Sequence, residues 1–240
     1  RMVLPRLQNL FRYGHILITQ GPPDPNTGAP GEKAIFLGPD LRIFNSYNKA
    51  AMDVMAKYGE DRGRSEAYDN GYRNMLKNAL LSFYQAGLRN EALGIYRKLQ
   101  ARYTFDEFKL SLEQYVKFRL AEELESIGIH DASEQVVMLL INAYRLYALY
   151  EDDTAAGNER FAQEVWDHYN REFGDTTRVD LPPMAVLIGQ FLNSDAYPLY
   201  IRQSLWARIE REKPELLKQL EQTEAQLRRQ MEQLQKTQTQ

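Results

Sequence analysis

Few side chains in this sequence have types and spacings that could do chemistry. Glu164 and His168 are four residues apart, so on a helix they share a face and could hold one metal ion. Carboxylate-bridged di-iron bundles, however, use a Glu-x-x-His pair, with a spacing of three, on each of two helices. Neither that spacing nor a second pair occurs, and His15 and His130 lie far away in the sequence. We therefore predict no metal site.

Two polar residues, Asn142 and Arg145, interrupt the most apolar run of the chain, residues 136–150. If that run is a core helix, Arg145 needs a carboxylate or carbonyl partner, because an unpaired buried charge is very costly. The two residues could form a buried polar pair that faces a ligand, as in a helical enzyme or a cofactor- or metal-binding bundle. They could instead reach solvent or a structural salt bridge, and we favour this structural interpretation.

No motif identifies a catalytic residue. The chain has no cysteine, which excludes disulfides, thiolate nucleophiles and Cys-ligated zinc. It contains no G-x-S-x-G elbow, P-loop or G-x-G-x-x-G sequence. Its 30 Lys and Arg are interspersed with 33 Asp and Glu, so no concentrated basic face for nucleic acid is expected. We predict a protein that is not an enzyme, has no cofactor and binds no nucleic acid.

Length and hydropathy indicate a soluble protein. The 240 residues suffice for one sizeable core with appendages, and 43% hydrophobic and 26% charged residues are ordinary for a globular chain. The apolar run 136–150 is shorter than the roughly 20 residues of a membrane span, so we expect no membrane insertion by this segment. Cytoplasmic location is the default expectation. Because the chain begins with arginine, we expect either a processed product or a fragment of a longer protein, and any upstream targeting segment would not be visible.

Hydrophobic spacing divides the chain into three parts. Short apolar runs at 15–19 and 34–37, on either side of a loop rich in Pro and Gly, predict a small β-hairpin, and 41–44 is another short strand-like run. From residue 46 onward, apolar residues recur at spacings of three and four, which is typical of helices. The predicted domains are an N-terminal extension (1–45), a helical-repeat-like domain (46–212) and a C-terminal amphipathic, coiled-coil-like helix (213–240).

Turn residues and caps place the helices and pair them. Gly87 joins two helices tightly, so they must form an antiparallel αα-hairpin. Thr104 and Glu107 have the spacing of a capping box for the next helix, which we pair with the apolar helix in a second hairpin. The predicted helices are 46–58, 65–86, 89–103, 105–127, 132–150, 157–173, 184–192 and two that begin at Pro198 and Pro214.

The last helix has a narrow apolar stripe. The stripe covers about three heptads with an a/d pattern, which is short for an isolated coiled coil. This helix either packs back on the body or pairs with another chain, and the charged and glutamine-rich surroundings of the stripe slightly favour self-association. The predicted oligomerisation residues are Leu217, Leu220, Leu227, Met231 and Leu234.

The pattern of small and large residues across residues 76–99 resembles a tetratricopeptide repeat (TPR). The first helix carries Leu76, Ala79, Leu80 and Phe83, Gly87 lies at the turn, and the second helix carries Ala92, Tyr96 and Leu99. The second half of this pattern recurs at Gly157, Ala162, Trp166 and Tyr169. Ala162 follows Ala92 by 70 residues, which is close to the length of two repeats. Thr104 stands where the family has its terminal proline. The resemblance implies an all-α fold of stacked antiparallel αα-hairpins, TPR-like or α-solenoid.

The same resemblance implies a binding surface. In the family the first helix of a repeat lines the groove that holds a peptide. Carried over to this chain, the peptide- or protein-binding residues are Asn74, Lys77, Asn78, Leu81, Tyr84 and Gln85. Amides and a lysine there could hold the backbone or terminal carboxylate of an extended peptide, although they could also be a solvated helix face. The expected function is a non-enzymatic scaffold or adaptor within a larger protein or assembly.

Overall fold

The computed structural model describes residues 3–58, 65–125, 132–173, 182–193 and 198–238. These residues form ten α-helices, an antiparallel pair of β-strands and two short 3-10 helices, which confirms the predicted helical fold with an N-terminal β-hairpin. The α-helices are α1 (Val3–Tyr13), α2 (Phe44–Tyr58), α3 (Ser65–Gln85), α4 (Arg89–Arg102), α5 (Leu112–Glu125), α6 (Ala132–Ala148), α7 (Asp152–Phe173), α8 (Met184–Leu192), α9 (Leu199–Glu212) and α10 (Pro214–Gln238). The strands are β1 (His15–Gln20) and β2 (Lys33–Gly38), and the 3-10 helices are Leu41–Ile43 and Asp106–Lys109.

The chain forms two compact units. The first comprises Arg1–Gln20 and Lys33–Gly128, and thus α1 to α5 with both strands. The second comprises Gly21–Glu32 and Ile129–Gln240, and thus α6 to α10 with the loop between the strands. The division into parts ending at residues 45 and 212, which follows composition along the chain, remains a prediction.

The two strands form an antiparallel ribbon in the first unit. The register pairs His15 with Gly38 at one end and Gln20 with Lys33 at the other. An isolated two-stranded ribbon is at best marginally stable in water, so it needs support from another element. Helix α1, which leads directly into β1, contacts both strands and supplies that support.

The short run after the ribbon is a turn and not a strand. The Asp40 carboxylate accepts a hydrogen bond from the Arg42 backbone N–H at 3.1 Å and starts the 3-10 helix Leu41–Ile43. Helix α2 then begins at Phe44. A side-chain cap of this kind offers the backbone a partner in a helical turn, which outweighs the β propensity of three apolar residues.

Helices α3 and α4 form the predicted antiparallel hairpin. Gly87 has a φ of +79°, the left-handed conformation that ends a helix and favours glycine. Ala79 on α3 and Ala92 on α4 are both fully buried. Their small side chains let the two backbones approach closely, as the pattern of small and large residues predicts.

The predicted capping box before α5 is wrong by seven residues. Glu107 lies in the 3-10 helix Asp106–Lys109, and its carboxylate pairs with Lys77 at 3.0 Å. The reciprocal bonds of a capping box are made by Ser111 and Gln114 at 3.1 and 3.2 Å, and α5 begins at Leu112. The ion pair with Lys77 takes the place of the predicted bond between Glu107 and the Thr104 backbone. It is a tertiary contact, so the local sequence pattern cannot indicate it.

The second predicted hairpin is also corrected. Its two members, 105–127 and 132–150, fall in different compact units, and within its own unit α6 packs chiefly on α7. Helix α7 begins at Asp152, five residues earlier than predicted, so a turn of only three residues separates it from α6. Tyr150 in this turn has a φ of +64°. A connection this short requires two long helices to run antiparallel.

Helix α6 is the core of the second unit, and α7, α8 and α9 contact it. Val136, Leu140 and Tyr144 are at most 1% exposed, whereas Met138 is 38% exposed, so one side of the helix remains open. Helix α10 contacts α8 and α9. Among the described residues, no helix is both apolar enough and long enough to cross a membrane.

Overpacking the α3–α4 contact should destabilise the first unit. We expect Ala92→Leu to lower the free energy of unfolding by about 1–3 kcal/mol, because the fully buried site leaves no room for three more carbon atoms. Ala101→Leu is the matched control, since Ala101 lies on the same helix and is exposed, and its change should stay within about 0.5 kcal/mol. Urea unfolding followed by circular dichroism measures both values. Equal changes would contradict close packing at Ala92.

Candidate functional site

The most distinctive surface of the described chain is one face of the ribbon. Its four aliphatic side chains, hereafter the ribbon face, are all more than half exposed: Ile16 56%, Ile18 67%, Ile35 64% and Leu37 55%. In the antiparallel register Ile16 lies opposite Leu37, and Ile18 lies opposite Ile35. Two adjacent cross-strand pairs therefore form one continuous apolar patch, and not four scattered residues. Contiguous exposed apolar surface of this kind marks interaction sites.

The opposite face of the ribbon is half-buried, and α1 holds it in place. Phe11 of α1 is 3% exposed, and its ring centroid lies 6.2 Å from that of Phe44 and 5.9 Å from that of Tyr47. The Phe11 carbonyl also accepts a hydrogen bond from the Asp40 backbone N–H at 2.9 Å. Since Asp40 closely follows β2, this bond ties the end of the ribbon to the helix.

Sequence reasoning predicted the strands but missed the ribbon face. The signal was present, because residues 15–19 and 34–37 are apolar at both odd and even positions. Strands that expose one face to water usually alternate between apolar and polar residues, whereas continuous apolar runs are typical of strands covered on both sides. The ribbon has such a sequence, yet only its inner face is covered.

The second unit contains a polar cavity of about 250 Å³, hereafter the polar cavity. Helices α6, α7 and α9 and the junction of α9 with α10 provide its walls. The polar lining residues are two tyrosines, three carboxylates and two cations: Tyr144, Tyr147, Asp152, Glu159, Glu212, Arg208 and Lys213.

Arg208 is the centre of the polar cavity. It is only 4% exposed, and its guanidinium pairs with Glu212 at 2.7 Å and with Asp152 at 2.9 Å. It also donates a hydrogen bond to the backbone carbonyl of Tyr147 and lies 3.8 Å from the centroid of that ring. One buried cation thus binds the end of α6, the start of α7 and the end of α9.

A second set of contacts surrounds Glu159. Its carboxylate accepts a hydrogen bond from the Tyr144 hydroxyl at 2.9 Å and pairs with the Lys213 ammonium at 2.5 Å. Burial raises the pKa of Tyr144, and the nearby Glu159 raises it further. The hydroxyl therefore stays protonated and acts as a donor.

The carboxylate of Glu212 accepts hydrogen bonds from several neighbours in the cavity. Hydrogen bonds from Arg208, Tyr147 and Arg211 lower the pKa of Glu212 from 4.5 to about 2. Burial raises the pKa of Tyr147 to about 12, helped by its 2.5 Å hydrogen bond to Glu212. Because these ionised groups bind one another, their arrangement is typical of a structural network that joins helix ends.

The polar pair predicted from sequence lies beside this cavity. The Arg145 guanidinium donates a hydrogen bond to the Asn142 side-chain oxygen at 2.6 Å, and both residues are half-buried. The cavity is lined instead by Ala143, Tyr144 and Tyr147 of the same helix. Within the described part of this unit, the buried arginine is Arg208. The sequence did not indicate its burial, because an arginine beside the apolar positions of an amphipathic helix is usually exposed to solvent.

The six residues predicted to line a groove are found in different environments. Leu81 and Tyr84 are buried, at 3% and 1% exposure. Lys77 pairs with Glu107 at 3.0 Å, and the Asn78 side-chain oxygen accepts a hydrogen bond from Arg119 at 3.0 Å. Gln85 is half-buried, whereas Asn74 is exposed. Peptide binding by these residues stays a prediction, in which Asn74 is the most accessible group.

The predicted oligomerisation stripe is described only in part. Leu220 is buried at 7% exposure and Leu217 is half-buried, on a helix that contacts α8 and α9. The side chains of Leu227, Met231 and Leu234 lie outside the described residues. Self-association through α10 remains a prediction.

The structure describes no metal site among the residues it covers. His130 lies outside the described residues, and within them no group of three His, Asp or Glu side chains could hold a metal ion.

Removing the central cation should destabilise the second unit. We expect Arg208→Met to lower the free energy of unfolding by roughly 2–3 kcal/mol, because the Tyr147 carbonyl loses its side-chain donor and two carboxylates lose this cation. Arg211→Met is the matched control, since Arg211 also pairs with Glu212 at 2.5 Å but its side chain is 68% exposed. Its effect should stay below about 1 kcal/mol. Denaturant unfolding measures both, and equal losses would contradict a central role for Arg208.

Acid should weaken the same network. Because the folded pKa of Glu212 is depressed, its stabilising contribution is fully present above pH 4.5 and is lost as the pH falls towards about 2. Glu212→Gln removes this titration. We expect the variant to lose less stability than the wild type over that interval, as measured by thermal unfolding at several pH values. Parallel curves for the two proteins would show that Glu212 has its ordinary pKa.

Comparison with known proteins adds no assignment. No family model matches the chain, and no curated protein or solved structure matches it. Any statement about function therefore depends on the contacts described above, of which the ribbon face is the clearest.

Proposed function

We propose that this chain is a non-enzymatic protein-binding module, whose partner docks its own apolar surface on the ribbon face. The observation that supports this most directly is the pairing of four exposed aliphatic side chains across two strands. Helix α1 contacts both strands and stabilises the ribbon, so the face is presented already formed. A preformed surface binds without the entropic cost of ordering a loop.

The size of the ribbon face indicates how tightly it binds. Full burial of one aliphatic side chain contributes about 1.5–3 kcal/mol, so covering four that are somewhat more than half exposed contributes roughly 4–7 kcal/mol. Association itself costs an estimated 4–15 kcal/mol. The ribbon face alone therefore supports only a weak complex, and a stable one needs further contacts. Helix α1 also exposes Val3, Leu10 and Tyr13, at 65%, 49% and 55%, which could provide them.

A helical-repeat scaffold remains part of the proposal. Two αα-hairpins support it, each within its own unit: α3 with α4, and α6 with α7. Both contain fully buried small residues, which are Ala79 and Ala92 in the first and Ala162 in the second. In such a protein the helices serve as a rigid frame, and the groove residues and the stripe of α10 are additional candidate contacts.

Site-specific crosslinking tests the proposed surface. A photoreactive amino acid at position 18 or 35 should crosslink to one defined protein, because both positions lie in the ribbon face. The same group at Arg97, an exposed position on α4 of the same unit, should give no such product. Mass spectrometry of the irradiated complexes identifies the adduct and the crosslinked position.

A substitution distinguishes recognition from chance contact. Ile16→Ser combined with Leu37→Ser, in the chain crosslinked from position 18, should reduce the adduct at least about tenfold while stability changes little, because both side chains are exposed. The proposal is wrong if positions 18 and 35 yield no adduct, or if the adduct survives the double substitution unchanged. An equally strong adduct from position 97 would also refute it.

A further inference from the structure

A second cavity lies in the first unit, between α1, α2 and α3, and has a volume of about 180 Å³. It is named here the apolar cavity. Helix α3 contributes positions spaced at i, i+1, i+4, i+5 and i+8, which form one continuous helix face. Its lining residues are Leu4, Pro5, Gln8, Tyr47, Ala51, Val54, Met55, Ala67, Tyr68, Gly71, Tyr72 and Met75.

Charge and size restrict what this cavity could hold. None of its lining residues is charged, and Arg12, whose charge acts on the Tyr47 hydroxyl, is not part of the lining, so a charged ligand between the lining residues would lose hydration without an ionic partner in the cavity. An apolar cavity of about 150 Å³ is known to hold benzene, and this one is slightly larger. The cavity therefore suits a neutral molecule of about one aromatic ring. Met55 and Met75, with their flexible thioethers, can adapt to such a ring.

Two polar groups of the lining have unused hydrogen-bonding capacity. Tyr47 is 7% exposed, and neither its hydroxyl nor the Gln8 amide has a hydrogen-bond partner among the described residues. The hydroxyl of Tyr72, by contrast, binds the Asn48 side-chain oxygen at 2.9 Å. Predominantly apolar pockets with a few polar groups are typical of small-molecule sites. A ligand that offers one hydroxyl could bond to Tyr47 or Gln8.

Gly71 lies where the cavity opens to solvent. A Cβ built on it meets no heavy atom within 4 Å, so the fold itself does not require glycine there. Glycine inside a helix is less favourable than alanine, because it loses more conformational freedom on folding. Gly71 is exposed and belongs to the α3 face that lines the cavity, so a large side chain at this position would cover the entrance.

We propose that the apolar cavity binds a neutral, single-ring aromatic molecule with one hydroxyl group, such as a simple phenol. The ring occupies the space beside Gly71 and between Met55 and Met75. The hydroxyl bonds to Tyr47 or Gln8. This site lies apart from the residues of the ribbon face, so it adds a small-molecule function to a protein-binding one.

Methionine methyl resonances report directly on this site. The full chain, labelled with ¹³C at its methionine methyl groups, is titrated with p-cresol, toluene or benzoate. We expect saturable shifts at Met55 and Met75 and none at Met138, which lies on α6 of the second unit. p-Cresol should bind more tightly than toluene, which lacks the hydroxyl, and charged benzoate should not bind at the same concentrations.

Three variants separate the contributions. Tyr47→Phe combined with Gln8→Leu removes both candidate partners of the ligand hydroxyl, so it should weaken p-cresol binding about 2- to 12-fold, the value of one hydrogen bond, and leave toluene binding unchanged. Gly71→Leu should abolish binding of both probes. Gly71→Ala should weaken binding to an intermediate degree, and it serves as the test if the leucine variant does not fold. Gly94→Leu is the control, because Gly94 lies on α4 outside the cavity and its Cβ also meets nothing within 4 Å.

The outcomes are distinct. Absence of saturable shifts at Met55 and Met75 with every probe overturns the proposal, as does wild-type affinity in both Gly71 variants. Equal affinity for p-cresol and toluene, or for p-cresol and benzoate, overturns the assignment of a neutral hydroxyl-bearing ligand. Binding that is lost in Gly71→Leu and retained in Gly94→Leu, with p-cresol preferred, supports it.

Discussion

The contact of Phe11 with Phe44 and Tyr47 determines the position of everything that we propose to be functional in the first unit. Through it, α1 is fixed against the start of α2, and the Asp40 N–H bonded to the Phe11 carbonyl fixes the end of the ribbon. Helix α1 also contacts both strands, whose inner face is half-buried and whose outer face is exposed. The same helix supplies one wall of the apolar cavity. One buried ring thus helps to position both the proposed protein-binding surface and the proposed small-molecule site.

In the second unit, three helix ends meet, and a polar network joins them. Helix ends carry unsatisfied carbonyl groups, and Arg208 binds one of them together with carboxylates from two further helices. Desolvating this guanidinium is costly, and the cost is offset because its donors face several oxygens and its plane lies over the Tyr147 ring. The charged groups around it are engaged in this network, which is why we do not place the function of the protein there.

Local sequence rules succeeded where the decisive contacts are local. The α3–α4 hairpin follows from Gly87 and from alanines spaced to let two helices approach, and its boundaries differ from the prediction by one residue. The same rules failed before α5, where Thr104 and Glu107 have the spacing of a capping box. There Glu107 pairs with Lys77, thirty residues away, and Ser111 and Gln114 cap the helix instead. The spacing of two residues in the sequence shows which local hydrogen bonds are possible. Residues that are distant in the sequence determine which of those bonds form.

By itself the sequence determined the helical fold, the N-terminal hairpin and most helix boundaries, because hydrophobic period, glycines and prolines act over a few residues. It also indicated that both faces of the ribbon are apolar. Only the tertiary structure decided that the outer face stays uncovered, that Arg208 and not Arg145 is the buried arginine, and that α6 packs chiefly on α7. These outcomes depend on which surfaces meet when distant segments pack together, and burial is a property of that packing and not of any residue alone.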